Sequence, residues 1–331
     1  MDAIDTLSHL AQAEARRLHP IRHLSELAEY EVKLPCIIVA NDPLTRRPLA
    51  TATGYETHEN AGRMPLLCDF LNHRVLPMID PMVNVQGAYR IELHDSYSYL
   101  PHANRYKNAI SFARPRGARE SVALMPDPFH IGDFGGLLDA AKKDTIEWKS
   151  KDPLMFFAGT TTGERDPAKN ERIRACVWSL GRPDIARFHI TSIAQMSPQD
   201  AFAAVPLLRA AIHQPIPPCD HFRYRYQLNI AGNTACWSRV PMIMASKCLM
   251  LNLRQQDVMW YYPALAEGTH FFGAASLDEL PILRARCEST PELCKHVVAN
   301  ANRFVSDFLG HAQAAAYTVQ LLEDAAWHSA A

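Results

Sequence analysis

Short apolar runs alternate with helix-like segments along this 331-residue chain, and that alternation limits the possible folds more than any other feature of the sequence. The runs end in polar or turn residues, which is typical of buried strands. They lie at residues 34–40, 88–93, 121–125, 154–157, 187–191, 226–230, 248–253 and 270–272. Strands that alternate with helices predict an α/β fold.

Helix signals stand between these runs. Asp166 is a good N-cap and Pro167 a good first-turn residue, and apolar side chains follow at helical spacing over 173–180. Further helices are expected over 277–287 and from 291 toward 310. These signals place a predicted helix after the strand 154–157 and another after the strand 270–272.

The composition is that of an ordinary globular protein, 48% hydrophobic and 21% charged. Its formal net charge of −1 gives no overall field that would attract nucleic acid or anionic lipid. No run approaches the roughly 18 apolar residues of a membrane span, and residues 1–20 have an amphipathic helix pattern rather than that of a signal peptide. The eight cysteines contain no Cys-x-x-Cys pair, which favours free thiols and argues against zinc. We therefore expect a cytoplasmic protein with no nucleic-acid partner.

The first candidate site is the stretch FFAGTTTGERDP at 156–167. A strand, a turn of small residues and a helix N-terminus together form an anion site, because unpaired backbone N–H groups and threonine hydroxyls face the turn. Arg165 adds a fork of donors suited to a phosphate. The stretch has neither the ending of a P-loop nor the G-x-G-x-x-G of a dinucleotide site. The alternative is a capped helix in which Arg165 pairs with Glu164 or another carboxylate.

The second candidate site is the stretch RYRYQLNIAGNTACWSR at 223–239. A predicted strand leads here to Gly232 and Asn233, and Ser238 and Arg239 then precede an apolar run. Both turns would converge on one diphosphate at the carboxyl ends of adjacent strands, where open α/β sheets bind ligands. The alternative is that Arg239 is an ordinary surface arginine.

The third candidate lies at the end of the predicted strand 88–93, where His94 and Asp95 follow. A carboxylate at the end of a strand is well placed to accept a proton from a substrate hydroxyl. Alternatively, Asp95 forms an Asx-turn and His94 is a structural histidine. A fourth stretch, the turn-rich 126–136, contains Asp127, His130 and Asp133; it is either the lining of a cleft or a plain connector.

The sequence contains no Asp-x-Asp, the short acidic motif with which many nucleotide-sugar enzymes hold a divalent ion. If the ligand is a nucleotide sugar, arginines and helix ends must carry the charge of its diphosphate. The two arginine-containing turns supply such groups.

Three blocks resemble glycosyltransferase family 90. FFAGTTTGERDP is similar to the aromatic-Arg-Gly-Ser…Glu-Arg-Asp-Pro stretch of that family, and RYRYQLNIAGNTACWSR resembles its Lys-Tyr-Lys-Tyr…Asn…Gly…Ser-x-Arg block. WYYPALAEGTHFFGA at 260–274 is similar to its tyrosine-proline-leucine…His-aromatic segment. The resemblance extends over about 150–325 and more loosely over 80–135. It departs from the family at Ala158, where the family has arginine, and in the turn 160–162, which is one residue shorter.

The resemblance implies a GT-B-like fold, in which two Rossmann-like domains face a cleft and C-terminal helices cross back to the first domain. We accordingly expect an acceptor-side domain over 1–150, which ends in the charged stretch 142–152. A donor-binding domain over 151–297 and C-terminal helices over 298–331 would follow.

The implied reaction is an inverting, metal-independent transfer of a hexose or pentose from a UDP-sugar to a hydroxyl, without a cofactor. Asp95 would be the catalytic base. The donor would be bound by the following residues: Gly159, Thr160, Thr161, Arg165, Gly232, Asn233, Ser238 and Arg239.

The resemblance also limits the acceptor. The bacterial branch of the family implies a glycan or lipid-linked glycan such as lipopolysaccharide core or capsule, and a lipid-linked acceptor would bring peripheral membrane association. The alternatives are a protein O-glucosyl- or xylosyltransferase, and a non-catalytic nucleotide- or glycan-binding protein of the same fold.

Overall fold

A computed structural model describes residues 3–18, 36–42, 44–45, 47–53, 62–81, 83, 89–96, 109–117 and 122–330. The chain divides into two compact units. The first comprises Met1–Phe134, Asp257–Ala264 and Asp307–Ala331, and the second comprises Gly135–Gln256 and Leu265–Ser306. The predicted beginnings of three strands, at 34–35, 88 and 121, lie outside the described residues, as does the segment 97–99.

The second unit is built on a five-stranded sheet in which every neighbouring pair of strands is parallel. Its order is β12-β10-β9-β7-β8. The strands are β7 (Asp152–Thr160), β8 (Ala186–Ser192), β9 (Tyr224–Asn229), β10 (Leu249–Leu253) and β12 (Phe272–Ala274). Each overlaps a predicted strand. The α/β prediction is therefore confirmed for this unit, and parallel pairing is possible because long connections, most of them helical, rather than hairpins join successive strands.

Strand order reverses between β7 and β9. The chain passes from β7 to β8 on one side, then returns to place β9 on the other side of β7 and continues outward to β10 and β12. The crevice between the carboxyl ends of β7 and β9 is thus the topological switch point, which is where open α/β sheets bind ligands. The two predicted donor loops follow these two strands.

The helices around this sheet are mostly short. They are α4 (Phe134–Lys142), α5 (Glu171–Leu180), α6 (Pro198–Ala204), α7 (Leu208–Ala211), α8 (Pro218–His221), α9 (Arg239–Ala245), α10 (Leu280–Ser289) and α11 (Pro291–Phe308). The predicted start of α5 at Asp166 and Pro167 is wrong by four residues, because Asn170 is the N-cap: its side chain accepts hydrogen bonds from the amides of Arg172 and Ile173. Asp166 instead accepts from the amide of Ala168 within a turn.

Alternating side chains of β7 bury opposite faces of the sheet. Met155 and Phe157 enter the main core of the second unit, whereas Phe156 and Ala158 pack on the other face in a small cluster with Tyr224. Both faces are covered, which explains why the strand is a continuous apolar run rather than a hydrophobic-polar alternation. The strand therefore presents its carboxyl end, not a face, to ligands.

The first unit contains a mixed sheet of order β2-β1-β3-β4-β6. The strands are β1 (Cys36–Asn41), β2 (Pro48–Thr53), β3 (Tyr89–Glu92), β4 (Ala109–Ser111) and β6 (Val122–Leu124). Strand β1 runs antiparallel to both of its neighbours, and the remaining pairs are parallel. Outside this sheet, the short strand β5 (Arg114–Pro115) pairs with β11 (Asp257–Val258).

Helices α1 (Ala3–Ala15) and α12 (His311–Ala330) pack against each other in the first unit. Two others are α2 (Arg63–Phe70) and α3 (Pro128–Gly132). None of the helices in the described ranges has the length and apolar character needed to cross a bilayer. All eight cysteines are free thiols.

Candidate functional site

The loop after β7 is held in place by hydrogen bonds of polar side chains. The Thr161 hydroxyl donates to the carbonyl of Ala194 at 2.9 Å and accepts from the amide of the same residue at 2.8 Å, so that it ties this loop to the one after β8. The side-chain amide of Asn170 donates to the carbonyls of Thr161 and Glu164 at 2.9 and 2.7 Å. Thr161 is fully buried. Its hydroxyl is committed to the fold, and the predicted donor contact of this side chain stays a prediction.

The loops after β7 and β9 meet at Gly163. Its amide donates to the side-chain oxygen of Asn233 at 3.0 Å and to that of Gln195 at 3.3 Å. Gly163 has a φ of +122°, which side-chain-bearing residues rarely adopt, and a Cβ here would lie 3.1 Å from the carbonyl oxygen of Gly232. The two loops therefore contact each other, whereas their convergence on one diphosphate stays a prediction.

Arg239 reaches this junction from the first residue of α9. Its Nη2 donates to the carbonyl oxygen of Ala158 at 2.6 Å, and its guanidinium lies 4.3 Å from the centre of the Phe157 ring. A Cβ at Gly159 would lie 2.8 Å from the same Nη2, so that glycine leaves the space which the guanidinium occupies. The alternative that Arg239 is an ordinary surface arginine is wrong.

The charge of Arg239 is not matched by a counter-ion in the described part of the chain. Its Nη1 is buried without a hydrogen-bond partner there, and no carboxylate forms an ion pair with it. Burial lowers the pKa of Arg239 to about 10, with the nearby Arg172 acting in the same direction. The group nevertheless stays protonated at neutral pH, which leaves a desolvated cation with a spare donor at the carboxyl ends of the strands.

Arg172, which sequence reasoning missed, joins the two loops. Its guanidinium donates to the Thr160 carbonyl at 3.2 Å and the Thr162 hydroxyl at 2.6 Å after β7. It also donates to the carbonyls of Ile230 at 3.2 Å and Ala231 at 2.9 Å after β9. One signal was available in the sequence: an arginine in the first turn of a helix opposes the helix dipole, which favours acidic residues there.

The remaining predicted residues of these loops lie nearer the surface. Arg165 is exposed and forms no ion pair or hydrogen bond in the described ranges, so the predicted alternative of pairing with Glu164 is not observed. Glu164 instead accepts from the amide of Asp166. Ser238 occupies the N-cap position of α9 without a side-chain cap, and the Thr160 hydroxyl donates to that of Thr162 at 3.3 Å. The donors of Arg165 thus face solvent.

A cavity of about 540 Å³ adjoins the loop after β7. Its lining is mainly apolar, with Ile173 and Leu253 among the contributors, and Glu171, Ser276 and Asp278 add polar groups. Burial raises the pKa of Glu171. The remaining lining residues are Pro167, Ala168, Arg174, Val177, Trp178, Val205, Ala275 and Leu277. Pro167 lies two residues after Arg165, so the cavity and the arginine share one turn.

In the first unit, Asp95 follows β3, as the sequence predicts. Nη2 of Arg63 donates to Oδ1 of Asp95 at 2.7 Å, and Nη1 of the same arginine donates to the carbonyl of Leu93. Both partners of the ion pair are partly exposed, with 24% and 27% of the two side chains accessible. Arg63 thus fixes the carboxylate at the strand end while solvent still reaches it.

The stretch 126–136 is not an open loop. Asp127 is the N-cap of α3, and its Oδ2 lies 2.5 Å from Nδ1 of His130. Both side chains are fully buried, and the His130 ring stacks on Phe134. Asp133 is exposed. Asp127 and His130 therefore belong to the buried start of a short helix rather than to a cleft lining or a plain connector.

Comparisons with known proteins show which family the chain resembles and how far the similarity extends. The model of a family described as glycosyl transferase family 90 matches residues 135–327. The O-glucosyltransferase rumi homolog of Anopheles gambiae is 22% identical over 304 residues, which cover 85% of this chain and 73% of that protein. A solved C-terminal domain of a glycosyl transferase group 1 family protein from Francisella tularensis matches at a TM-score of 0.34 and 13% identity, over 50% of this chain and 91% of that one. A structural similarity this slight adds nothing to the fold described above.

Proposed function

Because the chain belongs to glycosyl transferase family 90, we propose that it is an inverting glycosyltransferase which uses a UDP-sugar and needs no metal ion. The sugar is a hexose or pentose, and the acceptor is a hydroxyl of a glycan such as lipopolysaccharide core or capsule. A cytoplasmic location, a GT-B-like cleft and peripheral contact with a membrane that carries the acceptor belong to the same proposal.

The observation that carries this proposal is the unmatched charge of Arg239. A desolvated guanidinium is costly, and here it sits at the topological switch point with a donor left over. An anion in this crevice would supply the missing counter-charge. Each charge-assisted hydrogen bond contributes about 1.5–3 kcal/mol. A diphosphate fits the proposal because the exposed Arg165, in the turn after β7, would supply a second cation.

The cavity beside the loop accounts for the rest of a nucleotide. An apolar interior suits the flat face of a base, and the hydroxyl and carboxylates of Ser276, Asp278 and Glu171 can accept or donate to ribose hydroxyls. A volume of about 540 Å³ is of the size of small-molecule sites. The nucleoside would enter here, with its diphosphate directed along the turn toward Arg165 and Arg239.

Asp95 is the proposed base. It would accept the proton of the acceptor hydroxyl as that oxygen attacks the anomeric carbon from the side opposite the diphosphate, and one displacement inverts the configuration. A positioned base contributes typically 10²–10⁴-fold. The growing charge on the leaving diphosphate would be met by Arg239 and Arg165, a preorganised electrostatic stabilisation.

UDP binding by thermal shift and calorimetry tests the donor site. We expect wild-type protein to be stabilised by UDP and Arg239→Ala to lose most of that stabilisation, since the buried cation is removed. Arg303→Ala is the matched control, because Arg303 is an exposed arginine on α11. Equal UDP binding by Arg239→Ala and wild type would refute the proposed phosphate contact.

Asp95→Asn separates an enzyme from a non-catalytic binding protein. The variant should bind UDP like wild type and lose transfer by about 10²–10⁴-fold, because the amide cannot accept the proton. Sugar transfer at the wild-type rate would remove Asp95 from the mechanism. A wild type that binds UDP but neither hydrolyses nor transfers any UDP-sugar would favour the binding protein.

A second candidate function is protein O-glucosylation, which the similarity to an O-glucosyltransferase favours. UDP-glucose is accordingly the first donor to screen, followed by UDP-galactose and UDP-xylose. Parallel assays with folded protein domains and with lipopolysaccharide core oligosaccharides as acceptors decide between the two functions. Transfer to protein serine alone would replace the glycan acceptor proposed above.

A further inference from the structure

Arg172 and Arg239 lie at the same crevice but differ in how their donors are used. The guanidinium of Arg172 has five N–H donors. They meet five acceptors: four oxygens of the two loops, and the sulfur of Cys236 at 3.3 Å. Arg239 uses Nη2 alone among the described residues. One arginine is saturated by the protein, and the other retains a donor for a ligand.

The contacts of Arg172 span the switch point. Two of its acceptors, at Thr160 and Thr162, belong to the segment after β7, and two more, at Ile230 and Ala231, belong to the segment after β9. The side chain is 7% exposed. β7 and β9 are neighbours in the sheet, and the chain leaves them toward opposite sides, to β8 and to β10. Arg172 supplies a bridge at this point.

Glycine at 232 makes the bridge possible. A Cβ there would lie 2.8 Å from Nη2 of Arg172 and 2.9 Å from the Thr162 hydroxyl oxygen. Both distances are shorter than van der Waals contact, so a side chain would displace the guanidinium. The predicted role of Gly232 was a donor contact; the geometry gives it a steric role toward Arg172.

We propose that Arg172 is a positioning residue for the donor: it locks the loops after β7 and β9 together, so that Arg239 and the loop amides face one diphosphate. This inference rests on the proposed function. Arg172 itself does not contact the phosphates. The loops it joins carry Gly163 and Asn233, whose hydrogen bond sets their spacing, and β7 carries the Ala158 carbonyl that orients Arg239.

Arg172→Lys is the decisive variant. Lysine keeps the charge but has three donors on one nitrogen and no planar fork, so it cannot satisfy the five acceptors that Arg172 meets in the two loops. Amide hydrogen exchange without ligand should become at least about 10-fold faster in segments 160–164 and 230–236, and stay unchanged in α11. UDP affinity should fall, and the rate of sugar transfer should fall on the order of 10²-fold for a misplacement near 1 Å. Acceptor KM should not change.

Gly232→Ala tests the same contact from the other side, because it leaves the arginine in place and pushes it away. Its exchange pattern and donor KM should change in the same direction as those of Arg172→Lys. Arg303→Lys, the same substitution at an exposed position, is the control. If Arg172→Lys lowers the yield of folded protein, Gly232→Ala provides the same readouts.

The outcomes are distinguishable. Unchanged loop exchange in both variants would overturn the locking role, whatever UDP does. Faster exchange with wild-type UDP affinity would show locking that the donor does not need, and would also overturn the proposal. Wild-type protein that fails to bind UDP would overturn the proposed function and the donor role of Arg172 with it. Faster exchange together with weaker donor binding supports the proposal.

Discussion

Two cations in the second unit, Lys151 and Arg239, meet opposite conditions. Lys151 is fully buried, and its Nζ donates to both carboxylate oxygens of Asp144 at 2.8 Å and to the carbonyl of Phe222. Arg239 also has a buried donor, yet among the described residues it bonds one carbonyl and faces no carboxylate. The first cation is neutralised by the protein, whereas the second is left for something else to neutralise.

The contrast shows how a buried charge can be interpreted. A complete pair such as Lys151–Asp144 holds separate elements together. Asp144 lies after α4 and Lys151 lies before β7. Asp144 also accepts from the amide of Lys247, which lies before β10. A charged group that lacks a counter-ion has a desolvation cost in free energy, which the folded protein alone does not offset. A ligand of opposite charge recovers it on binding, so the unmatched cation marks the site.

The largest effect is expected from breaking the complete pair. Lys151→Met leaves Asp144 buried without its cation, which should lower the free energy of unfolding by about 3–5 kcal/mol. Urea unfolding followed by circular dichroism measures this. Lys142→Ala, which removes one partner of the exposed pair with Asp139, is the matched control and should change little. Equal effects of the two variants would mean that burial does not distinguish the pairs.

Arg239→Met should change the free energy of unfolding little and the affinity for UDP strongly. Removing a desolvated charge that has no counter-ion should leave the free energy of unfolding within about 1 kcal/mol of wild type. UDP affinity should nevertheless fall by about 10- to 100-fold, the equivalent of one charge-assisted hydrogen bond. Urea unfolding and calorimetry on the same preparation test both statements. A loss of stability as large as that of Lys151→Met would give Arg239 a structural role instead.

Two histidines of the second unit, His189 and His221, show a third condition, in which the imidazole stays neutral at neutral pH. Burial lowers the pKa of His189 to about 4, with His213 contributing, and burial together with Arg239 lowers that of His221 to about 4. Their unfolded pKa is about 6.5. A lowered folded pKa contributes stability that is complete above pH 6.5 and is lost as pH falls toward 4.

His189→Phe should therefore reduce the loss of stability between pH 6.5 and 4. Allowing for the solvent that reaches this ring, we expect a reduction of about 1–2 kcal/mol. Chemical denaturation at a series of pH values provides the measurement. A variant with the wild-type pH profile would show that the His189 ring, stacked on His213 at 3.7 Å, is not the group that titrates.

The smallest expected effect is none at all. If Arg239 and Arg165 carry the diphosphate charge, a chelator should not change the rate of sugar transfer. Sugar transfer from the UDP-sugar found in the donor screen is measured before and after exhaustive dialysis against EDTA. It is measured again after Mg²⁺ or Mn²⁺ is added back. Loss of activity that either ion restores would transfer the charge-stabilising role from the arginines to a metal.

The sequence predicts the fold of the second unit well, because buried parallel strands are continuous apolar runs that differ clearly from their surroundings. Element ends are less certain. Asp166-Pro167 and Asn170 are both acceptable helix starts, and only the packing of Asn170 against the carbonyls of Thr161 and Glu164 decides between them. Local propensity contains no information about that tertiary contact.

The site was predicted where it depends on local pattern and missed where it depends on pairing. Gly159, Gly232 and Arg239 stand out as small or cationic residues at strand ends. Arg172 does not, since its five acceptors lie in segments about 10 and 60 residues away along the chain. The role of Thr161 was likewise hidden, because its partner, Ala194, contributes backbone atoms alone.

The two glycine–arginine contacts also restrict how this sequence can diverge. Alanine at 159 or 232 would displace the end of a flexible arginine rather than the backbone, so the chain can fold with either change. The arginine would then occupy another position, so that under the proposed function donor binding would weaken while the folded protein persists. Related sequences that carry side chains at these two positions should accordingly have a residue other than arginine at 239 or 172.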